Sequence, residues 1–117
     1  MLALLDPSAT LIDHVLYREQ CIIYNTSFIK NLRIIRNRDI KKMVILDNSV
    51  ISFSKNLENG IHVPTFFGDC DDTVLLSLLP LLKSLTNVDD VATELGKRAG
   101  ILALYESYIK DDAMLAL

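Results

Sequence analysis

The sequence predicts an α/β domain with one short buried strand at its centre, extended segments on either side and a helical C-terminal third. Three observations carry that prediction. Lys42-Met43-Val44-Ile45-Leu46-Asp47-Asn48-Ser49 runs from an unalternating apolar stretch into a carboxylate, an amide and a hydroxyl, the pattern of a strand buried on both faces with polar groups at its carboxyl end. His14 to Tyr24 and Ile61 to Pro64 read as flanking extended segments, and from Thr73 onward the apolar residues recur at helical intervals. Ligands of open α/β sheets sit beyond the carboxyl ends of the strands, which singles out Asp47 and Asn48. An Asx turn leaving the strand would use the same two residues.

Taken in order, Leu2 to Leu5 is a short apolar stub ending at Asp6-Pro7-Ser8, the tail of a helix. His14 to Tyr24 reads as a strand, with Val15, Tyr17, Cys21 and Ile23 on one side and Arg18 and Gln20 on the other. Asn25-Thr26-Ser27 is a turn, and Phe28-Ile29-Lys30-Asn31-Leu32 is an apolar segment with one lysine in its middle. Such a lysine can simply snorkel. After Asn48 a serine-bearing loop passes to the turn signal Glu58-Asn59-Gly60. Ile61 to Pro64 suits an edge strand, because proline cannot donate to a ladder. Gly68 to Asp72 is a loop that supplies a helix cap, and the following helix carries leucines at nearly every angular position, so it should be covered on most of its surface and kinked at Pro80. Asn87 to Asp90 caps a second helix through Val91, Leu95, Leu102, Tyr105 and Ile109, with Glu94 and Arg98 spaced to pair. Gly96 and Gly100 weaken that helix.

With 117 residues, half of them apolar, the chain has room for one domain that buries about two thirds of its extended surface. No stretch is long and apolar enough to span a bilayer, since Pro80 and Lys83 interrupt the longest one, and no targeting signal precedes Asp6-Pro7. Net charge is −3, but the cations Lys30, Arg33, Arg36, Arg38, Lys41 and Lys42 crowd one stretch. A solvated face accounts for such a run as well as an anion-binding surface does. No aromatic residue is interleaved and no nucleic-acid motif accompanies it, so neither a nucleic-acid nor a membrane partner is expected. Cys21 and Cys70 are too few for a disulfide scaffold, and His14 and His62 lack metal-ligand spacing. Reduced thiols fit an intracellular protein, nuclear or cytoplasmic.

Several segments together resemble one family. They are Leu16 to Cys21, Phe28 to Leu32, Arg38 to Ser49, Glu58-Asn59-Gly60-Ile61, and Asp71-Asp72-Thr73 through Leu78-Leu79-Pro80-Leu81-Leu82 to Val88-Asp89-Asp90-Val91. In order and spacing they are similar to the phosphatases that act on the carboxy-terminal domain of RNA polymerase II and their small nuclear relatives, a branch of the haloacid dehalogenase superfamily. The resemblance covers residues 4 to 95. It implies residues 1–95 as the C-terminal portion of the phosphatase homology domain and 96–117 as a helical extension. It also implies a partial Rossmann-like haloacid dehalogenase fold. In that family an aspartate attacks the phosphorus of phosphoserine or phosphothreonine, and water hydrolyses the aspartyl-phosphate. Lys30 matches the lysine that neutralises charge on the nucleophile and the phosphoryl group. Asn48 matches a Mg²⁺ ligand through its amide oxygen, Asp47 matches the residue supporting the metal shell and Lys30, and Arg18 matches a substrate-facing arginine. The implied cofactor is Mg²⁺ and the implied partner a phosphoprotein substrate.

The departures also carry expectations. The family's nucleophile strand reads Asp-x-Asp-x-Thr-Leu and is followed by a strand ending in a phosphate-holding threonine or serine, and both are expected before residue 1. Asp6 and Asp13 do not follow a buried apolar strand and are no substitutes. Without those strands the edge beside Lys42 to Leu46 is unpaired. Three accounts stay open: a portion of a full phosphatase, a chain that self-associates through the exposed sheet edge, and a noncatalytic binding or oligomerisation module of the same fold. A related domain in a mitochondrial import receptor illustrates the last. On each account the chain by itself should be inactive.

Overall fold

The computed structural model describes residues 2–98, 100 and 104–110. Helix α1, Leu2–Leu5, is the expected stub, closed by the Asp6 amide donating to the Leu2 carbonyl at 2.8 Å. Asp6 then organises the next turn. Its buried carboxylate accepts from the amides of Thr10, Leu11 and Ile12 at 2.9–3.0 Å.

The long first strand is not formed. Residues 14–17 are irregular, Arg18–Gln20 is a 3₁₀ turn, and β1 is limited to Ile22–Tyr24. Local hydrogen bonds win here: the Gln20 side-chain oxygen takes the Tyr17 amide at 2.6 Å, and the Tyr17 carbonyl takes the Gln20 amide. Extended pairing would have to break both. Strand β2, Ser27–Ile29, pairs antiparallel with β1 in the register Ile22 to Ile29 and Tyr24 to Ser27. The turn between them is Asn25-Thr26, and Asn25 takes the left-handed conformation (φ 51°) that asparagine tolerates. Past Lys30, Asn31 caps one 3₁₀ turn (Leu32–Ile34) and Asp39 another (Ile40–Lys42). Arg33, Lys41 and Lys42 lie exposed within these turns and Arg36 and Arg38 exposed between them.

Strand β3 is shorter than the apolar run suggested, Ile45–Asp47, and it is not the doubly buried centre of a sheet. Its one partner among the described residues is β4, Gly60–His62, parallel, with Asp47 opposite His62. Ile45 and Leu46 are accordingly half-buried. Parallel neighbours need a crossover of about a dozen residues. The sequence suggested a loop and turn for it, whereas Val50–Asn59 forms kinked 3₁₀ structure whose every third residue, Val50, Phe53, Asn56 and Asn59, is buried. Side chains three apart eclipse in a 3₁₀ helix and therefore form one stripe. That stripe is a core element, invisible to a search for periods of 2 or 3.6.

Helix α2, Val74–Ser84, starts at the loop as expected, with Asp72 accepting from the Val74 amide at 3.0 Å. It is not covered. None of its residues is buried, and Leu75, Leu76 and Leu79 are 65%, 66% and 44% exposed. The helix runs through Pro80, with Val74 and Leu78 half-buried, and in its last turns Leu81 meets the cluster of Leu85, Val91 and Leu95 that also takes in Val44, Ile61 and Val88. Helix α3, Val91–Gly96, is capped by Asp90 through the amides of Ala92 and Thr93. It stops far short of Ile109, at the weak glycine, and helical structure resumes at residues 104–110. Glu94 pairs with Arg98 at 3.6 Å and also with Lys97 at 3.3 Å. Leu102 and the end of the extension expected at 96–117 lie outside the described residues. No described helix is long and apolar enough to cross a membrane.

The observed architecture is thus mixed helix and strand with two small sheets, β1–β2 and β3–β4, which agrees with the α/β class.

Candidate functional site

Two strand ends meet at the site. Lys30 leaves β2, and its amide donates to the Ser52 carbonyl of the crossover at 2.7 Å. Asp47 ends β3, where its amide-linked neighbours are held by the Val63 amide bonding to the Asp47 carbonyl at 3.0 Å. Across the gap Lys30 Nζ lies 2.5 Å from Asp47 Oδ2. The pair is lopsided: the Asp47 side chain is 6% exposed and that of Lys30 51%. Asp47 Oδ1 accepts from the Ser49 amide at 2.9 Å, so both carboxylate oxygens are engaged. The ammonium has three donors and gives one to Asp47, which leaves two directed at whatever anion enters from solvent.

Asn48 stands next to the pair. Its Nδ2 donates to Thr65 Oγ1 at 3.1 Å, and its carbonyl oxygen lies 3.0 Å from His62 Nε2. The His62 contact is to the main chain of Asn48, so the Thr65 bond alone holds the side chain, with its amide oxygen unengaged among the described residues. A cleft of about 630 Å³ has Lys30, Asp47, Asn48, Ser49 and Arg18 in its wall, so the four residues singled out in the sequence surround one space. Arg18 lies with its guanidinium carbon 5.0 Å from the centre of the Phe28 ring, a cation–π contact that holds it at the cleft mouth. A second depression of the same size opens on the other side of Lys30, Asp47 and Asn48, bounded by Thr65, Phe66, Asp72 and Leu76. Thr65 and His62 were not singled out in the sequence, since nothing in their spacing marks them as partners of Asn48.

The donors fit a hard cation only in part. Mg²⁺ requires six oxygens in octahedral array. Here Asn48 offers one free amide oxygen, and the Asp47 oxygens, each already accepting one hydrogen bond from Lys30 or the Ser49 amide, have only their remaining lone pairs for a cation. These residues can contribute to a larger donor set and do not close one themselves. The acid cluster found among the described residues is Asp69, Cys70 and Asp71, which is fully exposed and includes a thiol, a soft ligand that Mg²⁺ does not favour.

The same loop corrects the expectation of an absent motif. The letters Asp-x-Asp-x-Thr do occur, as Asp69-Cys70-Asp71-Asp72-Thr73. They do not follow a strand. Asp69 Oδ1 accepts from the Asp71 amide and Asp72 Oδ1 from the Val74 amide, so the carboxylates shape an exposed turn that begins α2.

Comparison with known proteins gives the family. The profile described as NLI interacting factor-like phosphatase matches residues 1–92. CTD small phosphatase-like protein 2 of Dictyostelium discoideum is 42% identical over 91 residues, which are 78% of this chain and 16% of that protein. The carboxy-terminal domain RNA polymerase II polypeptide A small phosphatase 2 of Mus musculus is 39% identical over 98 residues, 79% of this chain and 36% of that protein. CTD small phosphatase-like protein 3 of Caenorhabditis elegans is 42% identical over 82 residues, covering 70% of this chain and 28% of its own. The chain therefore spans well under half the length of these relatives. On the profile match and these identities, it belongs to the NLI interacting factor-like phosphatase family.

Proposed function

We propose that this chain supplies the lysine-bearing half of a Mg²⁺-dependent phosphoserine/phosphothreonine phosphatase site of haloacid dehalogenase type, and that it does not turn over substrate alone. The observation that carries the reading is the Lys30–Asp47 pair at 2.5 Å beside Asn48. A buried carboxylate holds the ammonium still, and the ammonium keeps two donors for phosphate oxygens. Arg18 at the cleft mouth adds a second cation for the phosphorylated partner. By its relatives' names, that partner is a phosphoprotein such as the carboxy-terminal domain of RNA polymerase II.

Inactivity follows from what Asp47 is doing. One oxygen of Asp47 accepts from the Lys30 ammonium and the other from the Ser49 amide, an arrangement that suits a carboxylate positioning a cation rather than one attacking phosphorus. It is the sole carboxylate in the wall of the first cleft among the described residues. Mg²⁺, when bound, supplies charge neutralisation at the transferring phosphoryl group; from this chain it would draw on the Asn48 amide oxygen, with Asp47 behind it.

The test is hydrolysis of p-nitrophenyl phosphate by the purified 117-residue chain with and without Mg²⁺, beside an Asn48→Ala control. Rates equal to the control support the reading. Turnover that is abolished by chelation and by the substitution would sink it, because a carboxylate of this chain would then be acting as nucleophile.

A second reading has its own observation. Leu75, Leu76 and Leu79 on α2 and Phe66 and Phe67 before it are exposed, and β3 pairs on one edge only among the described residues. Both are what a self-associating or protein-binding module would present. Sedimentation of the chain over a concentration series decides it: a mass that stays monomeric throughout rejects self-association.

A further inference from the structure

Lys30 directly follows β2 of one sheet and Asp47 ends β3 of the other, and these sheets share no strand pairing. Their 2.5 Å approach must therefore be set by something that touches both. The crossover Val50–Asn59 does so through the Ser52 carbonyl, which accepts from the Lys30 amide at 2.7 Å, and through two buried side-chain amides on its inward stripe. Asn56 Oδ1 accepts from the Leu32 amide at 3.0 Å, just beyond Lys30. Asn59 Nδ2 donates to the carbonyls of Ile40 and Met43 at 2.8 and 3.0 Å, which fixes the approach to β3 and so the path to Asp47. Each side chain bonds through one end only: the Asn56 amide nitrogen and the Asn59 amide oxygen have no partner among the described residues. An apolar residue at position 56 would leave the Leu32 amide, and one at 59 the Ile40 and Met43 carbonyls, without this partner, so each asparagine is kept for the backbone it bonds at the cost of one unpaired atom of its own.

We propose that Asn56 and Asn59 are positioning residues for the Lys30–Asp47 pair, Asn56 holding the segment that bears the cation and Asn59 the strand that bears the carboxylate. Neither reaches the cleft. That the pair then serves phosphoryl chemistry rests on the function proposed above, but the positioning role concerns the pair itself and is read without any assay of turnover.

The experiment is NMR of the ¹⁵N-labelled 117-residue chain. The reporter is the Lys30 side-chain ammonium resonance, assigned by its loss in Lys30→Arg and detectable only when hydrogen bonding slows proton exchange. In the unmodified chain it should be visible, and it should vanish in Asp47→Asn. Asn56→Ala should broaden it away and speed exchange of the Leu32 amide roughly tenfold, about the weight of one hydrogen bond. Asn56→Asp, which keeps an acceptor oxygen, should restore both. Leu85→Ala, in the helical cluster, lowers stability without removing a partner of Lys30, Asp47, Asn56 or Asn59 and should leave the ammonium signal in place. An ammonium signal that survives in a folded Asn56→Ala overturns the proposal, as does its equal loss in Leu85→Ala. Should Asn56→Ala not fold, the unmodified chain still decides: a Leu32 amide exchanging as fast as the exposed Arg36 and Arg38 amides has no held acceptor, and the proposal fails. Mg²⁺-dependent turnover of p-nitrophenyl phosphate by the unmodified chain, with this network intact, would instead count against the proposed function alone.

Discussion

Lys30 and Asp47 are 17 residues apart in sequence, one directly after β2 and the other at the end of β3, yet their charged atoms lie 2.5 Å apart. The pair joins an almost wholly buried carboxylate to a half-exposed ammonium, so its two halves respond differently to removal. Lys30→Met leaves Asp47 buried with one oxygen unpartnered, which should cost about 1–3 kcal/mol. Asp47→Asn keeps an acceptor for the Ser49 amide and should cost less. Lys97→Met, at an exposed pair with Glu94, should cost no more than about 0.5 kcal/mol. Urea denaturation midpoints rank the three, and a Lys30→Met chain as stable as Lys97→Met would show that the pair does not contribute to the fold.

Gly60 and Phe53 form a second dependent pair. A Cβ on Gly60 would lie 2.1 Å from Phe53 Cε2 and 2.2 Å from Cδ2. The Gly60 backbone is ordinary extended chain, so the demand for glycine is purely steric. Gly60→Ala should destabilise by about 1–3 kcal/mol, and Phe53→Leu should relieve much of that cost when combined with it. A double-mutant cycle without coupling would mean that the ring moves aside freely.

Near the start of the chain, the turn built by Asp6 should depend on pH. The amide of Ile12, with those of Thr10 and Leu11, holds the Asp6 carboxyl below its ordinary value of 3.8 although burial acts the other way. A carboxyl depressed in the folded state contributes stability above its unfolded value and loses it as pH falls through the folded one. Protection of the Thr10, Leu11 and Ile12 amides should therefore be full at neutral pH and decline only below pH 3.8. Asp6→Ala should remove it at every pH. Protection that declines above that pH would contradict the cage.

On α2, Leu76→Gln should change stability by less than about 0.5 kcal/mol, because the side chain is 66% exposed. If the exposed face mediates self-association, the same substitution should lower the apparent mass in sedimentation at high concentration. A large loss of stability in dilute monomer would show that the face is covered within the chain.

Much of this was legible in the sequence, and the boundary has a physical reason. Asn25-Thr26 for the hairpin turn, Asp90 for the α3 cap and Asp72 at the start of α2 were all readable, because turns and caps are satisfied by residues a few positions away. The family, and with it Arg18, Lys30, Asp47 and Asn48 as the residues to examine, was readable from segments in order. What the sequence could not decide depended on distant partners. The Leu16–Cys21 region closed into a 3₁₀ turn, because Gln20 reached back to Tyr17. The leucines of α2 were read as buried, yet burial needs a neighbour, and the described residues leave Leu75, Leu76 and Leu79 exposed. The crossover with Phe53, Asn56 and Asn59 looked like a loop, since its period of three has meaning only once Gly60 leaves room for Phe53 and the Leu32, Ile40 and Met43 backbones arrive to be bonded. Residue identity determined which groups were available for a site, and tertiary structure alone brought Lys30 to Asp47, because the force that joins them acts across space and leaves no local pattern in the chain.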